Sequence, residues 1–318
     1  MAYNDIIGRS DISALIPEQV NEQMLAGAAE QSFVLSTFTN VPVTTNQTRF
    51  PVLSALPTAA WVSPTDTGLK ETTSQAWDNK YINIEELAAI VPIPESVLAD
   101  AGDAKVWSQV MPRMQEAAAI LIDTSVVIGT GAPSSFPDSI VDAATAAGNT
   151  ATLETRPADE GGVIGDHSDM LEELEADGYS PDGGLAAKRF RKYVRQARGT
   201  TGERLAEVNL SKDSVEIDGV TYTTRAMPGV WSATSGEPAL IAIDSSEFVV
   251  GVRQDVTWKL LDQAVIQDGS GAIQYNLAQQ DMVALRMVMR VGWQVANTIN
   301  RDQPTEASRY PAALLLNA

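Results

Sequence analysis

Apolar and polar positions alternate strictly near the end of the chain. After Asp281, every second position is apolar: Val283, Leu285, Met287, Met289, Val291, Trp293 and Val295. Arg286 and Arg290 fall on the opposite phase. A period of two over this length predicts a strand that is buried on one face and unusually long. Apolar residues at alternate positions of 256–260 predict its antiparallel partner, joined to it through a glycine-containing turn at residues 267–271.

A helical period occupies the segment from Asp103 to Ile128. Its inward positions step by three and four: Trp107, Val110, Met111, Met114, Ala117, Ala118, Leu121, Ile122, Ser125 and Val126. This spacing predicts one long helix with a single buried side. Pro112 should kink that helix or mark its true start. The glycine-containing stretch 129–133 ends the helix, and a brief helix is expected at residues 94–100.

Shorter patterns fill the rest of the chain. We expect a helix over residues 17–38 and a core strand at 85–93. Residues 143–152 are small and predict a flexible surface loop, and two short helices follow at 166–176 and 184–196. Four further strands are predicted at 214–217, 220–224, 239–243 and 248–252. The middle of the chain is therefore a mixed domain inserted between the long helix and the final strands, in an α+β protein.

The most informative segment is an extended arm. It runs over residues 48–57, turns at a polar tip at 65–70 and returns through Trp77 and Tyr81. Its prolines favour edge or unpaired strand geometry. An excursion of this length buries little surface against its own core, so an ordinary compact domain avoids it. We expect the arm to pack on neighbouring copies of the same chain.

Composition narrows the function classes. The 318 residues carry 22 Lys and Arg against 41 Asp and Glu, a net charge of −19, and scattered cations disfavour a nucleic-acid-binding face. The densest basic run, residues 188–198, is interpreted as a solvated helix face or a subunit contact, with direct nucleic-acid binding as the less favoured alternative. No apolar run approaches the length of a membrane span, and residues 1–5 lack the features of a signal peptide. We therefore expect a soluble chain in the cytoplasm or in a particle assembled there.

Candidate catalytic and metal-binding residues are few. The chain has no cysteine and a single histidine, His167, so a zinc site lacks ligands. His167 is the only available base for a Ser-His-Asp arrangement, and we expect it to be exposed at a helix start, where Asp166 or Ser168 would serve as the cap. The glycines of 129–131 and 269–271 lack the context of a phosphate loop. We predict no catalytic residue, no cofactor and no metal.

The order of these segments resembles the major capsid protein of tailed bacteriophages, the Hong Kong 97 fold. The resemblance is carried by residues 50–57, 68–73, 87–98, 123–131 and 281–295, and is strongest with phages that infect actinobacteria. It implies six segments: an N-terminal arm (1–47), an extended E-loop with its return strand (48–93), a peripheral domain with the spine helix (94–133), an axial domain (134–252), the long strands of the peripheral domain (253–297) and a C-terminal tail (298–318).

The resemblance also implies where subunits meet. In the E-loop these positions are Trp61, Leu69, Lys70, Trp77 and Lys80. In the axial domain they are Arg189, Arg191 and Arg195. The family's founding member links an E-loop lysine covalently to a neighbour, but the acceptor asparagine has no match in this sequence. We therefore predict a non-covalent shell.

The function implied is a non-enzymatic capsid protein that assembles, as pentamers and hexamers, into an icosahedral shell around double-stranded DNA. Its partners would be itself, a separate scaffolding protein, a portal and, as an option, a decoration protein, with packaged DNA bound without sequence specificity and no membrane. It would be located in the virion after assembly in the host cytoplasm. Two alternatives stay open: the shell protein of an encapsulin-like bacterial compartment, and an acidic soluble hydrolase that uses carboxylates.

Overall fold

The structure is a computed structural model. It describes residues 32–61, 72–101, 103–198, 209–211, 213–225, 227, 231–232 and 234–318. Most of the predicted helix at 17–38 lies outside this part of the chain, and only its end is described, as helix α1.

Helices and strands are numbered in chain order. The described helices are α1 (Phe33–Thr37), α2 (Glu95–Ala101), α3 (Asp103–Ile128), α4 (Ile140–Ala147), α5 (Val163–Ala176) and α6 (Phe190–Gln196). The described strands are β1 (Thr39–Pro42), β2 (Gln47–Ala55), β3 (Ala76–Asn83), β4 (Glu85–Pro94), β5 (Thr150–Thr152), β6 (Gly183–Ala186), β7 (Asn209–Leu210), β8 (Ser214–Ile217), β9 (Val220–Thr223), β10 (Pro238–Ile243), β11 (Phe248–Leu261), β12 (Val265–Gln267), β13 (Ile273–Asn276), β14 (Met282–Val295) and β15 (Ala312–Leu316).

The first sheet has four strands in the order β1-β11-β14-β4. Strand β14 is the alternating strand expected from the sequence, and β11 is its antiparallel partner, so both predictions are confirmed. The inward side chains of β14, among them Met287, Met289 and Trp293, share one core with Met114 and Ile122 of α3. Helix α3 has the predicted bounds and continues through Pro112.

The second sheet has seven strands in the order β5-β15-β10-β6-β9-β8-β7. Its strand β15 comes from residues 312–316, inside the segment 298–318 that the resemblance implies is the C-terminal tail. All five residues of β15 are apolar, and they pair with β10 on one side and with β5 on the other. The end of the chain is therefore built into the second sheet. Together the two sheets and their helices confirm the α+β class.

Two local predictions were wrong. Residues 143–152, expected to be a loop, form most of α4 and all of β5. Ser139 caps α4 by accepting a hydrogen bond from the backbone of Asp142, and Gly148 ends the helix in the left-handed region at a φ of 95°.

The helix expected over 184–196 starts later, at Phe190. Its predicted first turn is instead strand β6, which lies between β10 and β9. Position 184 requires glycine, because the Cβ of any other residue would lie only 2.0 Å from the carbonyl oxygen of Ile241. The resemblance implies that the axial domain ends at residue 252 and that the long strands of the peripheral domain begin at residue 253. Strand β11 instead runs unbroken across that point, and all of it belongs to the first sheet.

Candidate assembly surfaces

Strands β2 and β3 form a two-stranded ribbon outside both sheets. They pair antiparallel with each other, and they carry the arm expected from the sequence. Most of the ribbon's residues are exposed, in a pattern interrupted by Val52 and Ile82. The exposed residues of the ribbon, Trp77 among them, remain available to another molecule.

The predicted E-loop contacts fall into three groups. Trp61, just after β2, is fully exposed, and Trp77 on β3 is 62% exposed. Leu69 and Lys70 lie outside the described residues. Lys80 is partly covered, because its Nζ lies 2.5 Å from Oε1 of Glu306. The two tryptophans are therefore the predicted contacts that the described ribbon presents to solvent.

The middle and the outer end of the ribbon are tied to the segment that precedes β15. We call residues 297–309 the bracket. Its Glu306 forms the ion pair with Lys80. In addition, Ile299 N–H donates a hydrogen bond of 3.4 Å to the carbonyl of Leu53 on β2, and the Arg301 guanidinium donates one of 3.0 Å to the carbonyl of Pro57, just after β2. On its other side, the amide of Asn300 donates to the carbonyl of Asp177, at the end of α5. The bracket thus connects the ribbon to the second sheet's helices.

The basic run forms helix α6 and its flanks. Arg195 is exposed in the last turn of α6, where a cation complements the helix dipole, whereas Arg189 and Arg191 are only half-exposed. Lys188 and Lys192 are also exposed, and Lys192 Nζ lies 5.5 Å from the ring centre of Tyr193. Of the three predicted axial contacts, Arg195 is the one most open to another subunit.

The start of the described chain is anchored on the long helix. Asp123 of α3 is 2% exposed and accepts three hydrogen bonds: from Ser32 Oγ at 2.6 Å, Phe33 N–H at 2.9 Å and Val34 N–H at 3.1 Å. These bonds satisfy the free N–H groups at the start of α1. Burial raises the pKa of Asp123, although these three hydrogen bonds act in the opposite direction. A buried carboxylate therefore fixes the position of Ser32 and the start of α1 on the long helix.

His167 occupies a different environment from the one expected. It is fully buried within α5, two helical turns before Leu174, and helix α5 begins at Val163 without a cap from Asp166 or Ser168. Its Nε2 lies 2.8 Å from the hydroxyl of Tyr222, and its Nδ1 lies 3.4 Å from Oδ2 of Asp218. Burial lowers the pKa of His167, and Asp218 only partly opposes that change.

This environment is that of a packed core group. The spacing of His167, Met170 and Leu174, at steps of three and four, is the signal that could have placed the histidine on the buried stripe of α5. Within the described residues, no cluster of His, Cys, Asp and Glu could hold a metal ion. None of the described helices is long and apolar enough to cross a bilayer.

Two further groups at these surfaces were not among the predicted contact residues. Tyr81 lies on the ribbon, is 44% exposed and sits two residues from Asn79 on the same strand. Alternation along β3 could have paired it with Trp77 on one face. Glu306 could not have been found in this way, because it lies 226 residues from Lys80 along the chain.

Comparison with known proteins places the chain in a family. The sequence profile of the phage capsid family matches residues 13–299. A chain in a solved structure from Mycobacterium phage Cain is 32% identical, with 98% of this chain and 99% of that chain covered and a TM-score of 0.77. A chain from Microbacterium phage Oxtober96 is 28% identical, with coverage of 98% and 100% and a TM-score of 0.76.

A more distant likeness extends to the capsid of an empty GTA particle. That chain is 16% identical, with 91% of this chain and 90% of that chain covered and a TM-score of 0.60, which shows a common fold. None of the curated protein sequences compared with the chain matches it. The family profile covers nearly the whole chain, and the structures from phages Cain and Oxtober96 each cover 98% of it. The chain belongs to the phage capsid family and is a major capsid protein of a tailed phage, a self-assembling component of the virion shell.

Proposed function

We propose that this chain closes, as pentamers and hexamers, into an icosahedral shell that encloses the double-stranded DNA of the phage, and that it does so without enzymatic activity. The observation that carries the proposal is the ribbon, which projects large aromatic side chains, Trp61 and Trp77, into solvent. Exposed tryptophans are enriched where proteins bind other proteins. A ribbon that reaches a different surface of the next copy makes a heterologous contact, and such contacts generate rings when the rotation closes.

The energy available from the ribbon is sufficient for such a role. A tryptophan side chain buries about 150–250 Å² when fully covered, which is worth about 4–6 kcal/mol at roughly 25 cal/mol per Å² before ordering costs. Tyr81 adds a third partly exposed ring on the same ribbon. Because every subunit of a shell both gives and receives the contact, even a fraction of this energy stabilises a closed lattice.

The segments take the following roles in the proposal. Residues 1–47 form the arm, and the E-loop over 48–93 covers an adjacent subunit through Trp61, Leu69, Lys70, Trp77 and Lys80. The peripheral domain combines 94–133 with 253–297. The axial domain, 134–252, is joined by the tail over 298–318, whose β15 pairs within the second sheet. Arg189, Arg191 and Arg195 meet an acidic neighbour around the five- and six-fold centres.

The charge of the chain favours a container rather than a DNA-binding surface. A net charge of −19 per subunit repels packaged DNA, so we expect no sequence-specific contact with it. Assembly would take place in the host cytoplasm with a separate scaffolding protein and a portal, and a decoration protein could be added to the outside of the finished shell.

The proposal is tested by removing the two exposed rings. In the double variant Trp61→Ser, Trp77→Ser, the subunit should fold with unchanged circular dichroism and thermal stability, because neither ring is buried in the subunit. Electron microscopy should then show few or no closed particles. The matched control is Ser54→Ala, an exposed position on the same ribbon, which should assemble normally. Normal particle yield from the double variant would contradict the proposed role of the ribbon.

A further inference from the structure

Two glycines lie side by side in the middle of the first sheet. Gly251 of β11 and Gly292 of β14 are register partners. Neither has a positive φ, so their conformation is open to any residue, and the reason for glycine must lie in the space around them. A glycine inside a strand often marks a point where another backbone comes close.

The chain that comes close is the base of the ribbon. A Cβ built on Gly292 would lie 2.0 Å from the carbonyl oxygen and 2.8 Å from the carbonyl carbon of Asn83, the last residue of β3. A Cβ on Gly251 would lie 2.8 Å from Cγ2 of Val43 and 3.0 Å from Cγ2 of Ile82. We call this glycine pair the notch. The ribbon base passes over the sheet at this notch.

Other contacts hold the ribbon base in the notch. Val43, Ile82 and Ile84 form a small buried cluster of their own on this side of the sheet. The amide of Gln294, two residues beyond Gly292, donates a hydrogen bond of 3.0 Å to the carbonyl of Tyr81. The side chain of Asn83 donates to the carbonyl of Ser135 at 2.9 Å. The ribbon is thus seated on the sheet where it leaves the body, while its outer part carries the exposed Trp77 and touches the body through the bracket.

We propose that Gly251 and Gly292 are positioning residues that set the direction in which the ribbon leaves the subunit, and through it the place where the ribbon meets the next copy. The second half of this statement rests on the proposed function. A side chain at position 292 must push the backbone of Asn83 away by at least about 1 Å, because Cβ contacts under 3.0 Å essentially do not occur. The eight residues of β3 span roughly 26 Å, so a small rotation at the base becomes a shift of several ångströms at the far end.

The direction of the ribbon can be measured in the unassembled full-length subunit. The chain has no cysteine, so spin labels can be attached at Ala76→Cys, at the far end of β3, and at Thr145→Cys on α4, both exposed positions. Pulsed electron spin resonance then gives the distance between the labels. We expect Gly292→Ala to shift or broaden this distance by several ångströms. Gly269→Ala is the matched control, because a Cβ there meets nothing within 4 Å, and it should leave the distance unchanged.

The two glycines should respond differently to a second substitution. The overlap at Gly251 involves a side-chain methyl, so Val43→Ala should restore the distance in a Gly251→Ala background. The overlap at Gly292 involves a backbone carbonyl, so Ile82→Ala should not rescue Gly292→Ala. This asymmetry separates a steric notch from a general loss of stability. Should Gly292→Ala fail to fold, the Gly251 pair alone supplies the comparison.

Each result decides a separate question. An unchanged distance in folded Gly292→Ala, or in Gly251→Ala, would overturn the notch whatever the particle yield. A shifted distance together with a loss of closed particles in electron microscopy would support the whole proposal. A shifted distance with normal particles would retain the notch as a structural feature but overturn its role in assembly, and would leave the proposed function to the test with the double tryptophan variant.

Discussion

Replacing Asp123 by alanine removes the acceptor for two buried backbone N–H groups, those of Phe33 and Val34. A buried donor left without a partner costs about 1–3 kcal/mol, so we expect Asp123→Ala to lower the free energy of unfolding by about 2–6 kcal/mol. Asp123→Asn should cost less than Asp123→Ala, because the amide oxygen of asparagine still accepts one of these hydrogen bonds. It should still cost something, because the NH2 group of asparagine would face a second N–H donor. Equilibrium unfolding of the subunit in urea measures both values.

The control for Asp123 is Asp302→Asn, the same substitution at an exposed position in the bracket. It should change the free energy of unfolding by less than about 0.5 kcal/mol. If Asp123→Ala costs no more than this control, the buried carboxylate does not anchor α1 on the long helix.

The same residue predicts a pH dependence. Because burial raises the pKa of Asp123 above its ordinary value of 3.8, the folded chain binds this proton more tightly than the unfolded chain. The resulting stability is fully present below pH 3.8 and is lost as the pH rises through the raised pKa. Asparagine at position 123 does not titrate. As the pH increases, the free energy of unfolding of the wild type should therefore fall relative to that of Asp123→Asn. A shift in favour of the wild type over that range would show that the hydrogen bonds outweigh burial.

Three further predictions concern the surfaces. Lys80→Gln should lower the stability of the subunit by less than about 1 kcal/mol in thermal unfolding, because its ion pair with Glu306 is partly exposed; a larger loss would mean that the bracket holds the ribbon more tightly than inferred. Arg195→Glu should leave the fold intact but reduce assembly at low salt in size-exclusion chromatography, and equal assembly would exclude an electrostatic contact at α6. Purified particles should run on a denaturing gel as a single band near 34.0 kDa, whereas a ladder of multimers would refute the non-covalent shell.

The elements that the sequence predicted well are those whose pattern is long. Helix α3 carries its apolar stripe over 26 residues, and β14 alternates over 14, so each pattern repeats often enough to exclude the other kind of structure. Both elements also contribute many side chains to a single core.

Short buried elements lack this advantage. Strand β15 is a run of five apolar residues with no alternation, because it is covered on both faces, and its neighbours β10 and β5 lie far away in the chain. Strand β6 is also short and buried without alternation, so the sequence predicted the start of a helix there instead of a strand. Only the long-range pairing of the second sheet gives these residues their conformation.

Some features of the assembly surfaces could likewise be predicted from the local sequence, and others could not. The exposed ribbon and its tryptophans follow from an extended arm that has no core of its own to cover it. The ion pair of Lys80, the anchor at Asp123 and the notch at Gly251 and Gly292 depend on contacts between residues that are distant in sequence. Nothing in the local pattern around those residues distinguishes them from ordinary polar or glycine positions.

The most direct test of the account is the structure of the assembled protein, determined by electron cryomicroscopy of particles formed by the full-length chain. We predict closed icosahedral shells of pentamers and hexamers in which a neighbouring subunit covers Trp61 and Trp77. Subunits that fail to assemble, or shells in which both rings stay exposed to solvent, would contradict the claim that the ribbon joins one subunit to the next.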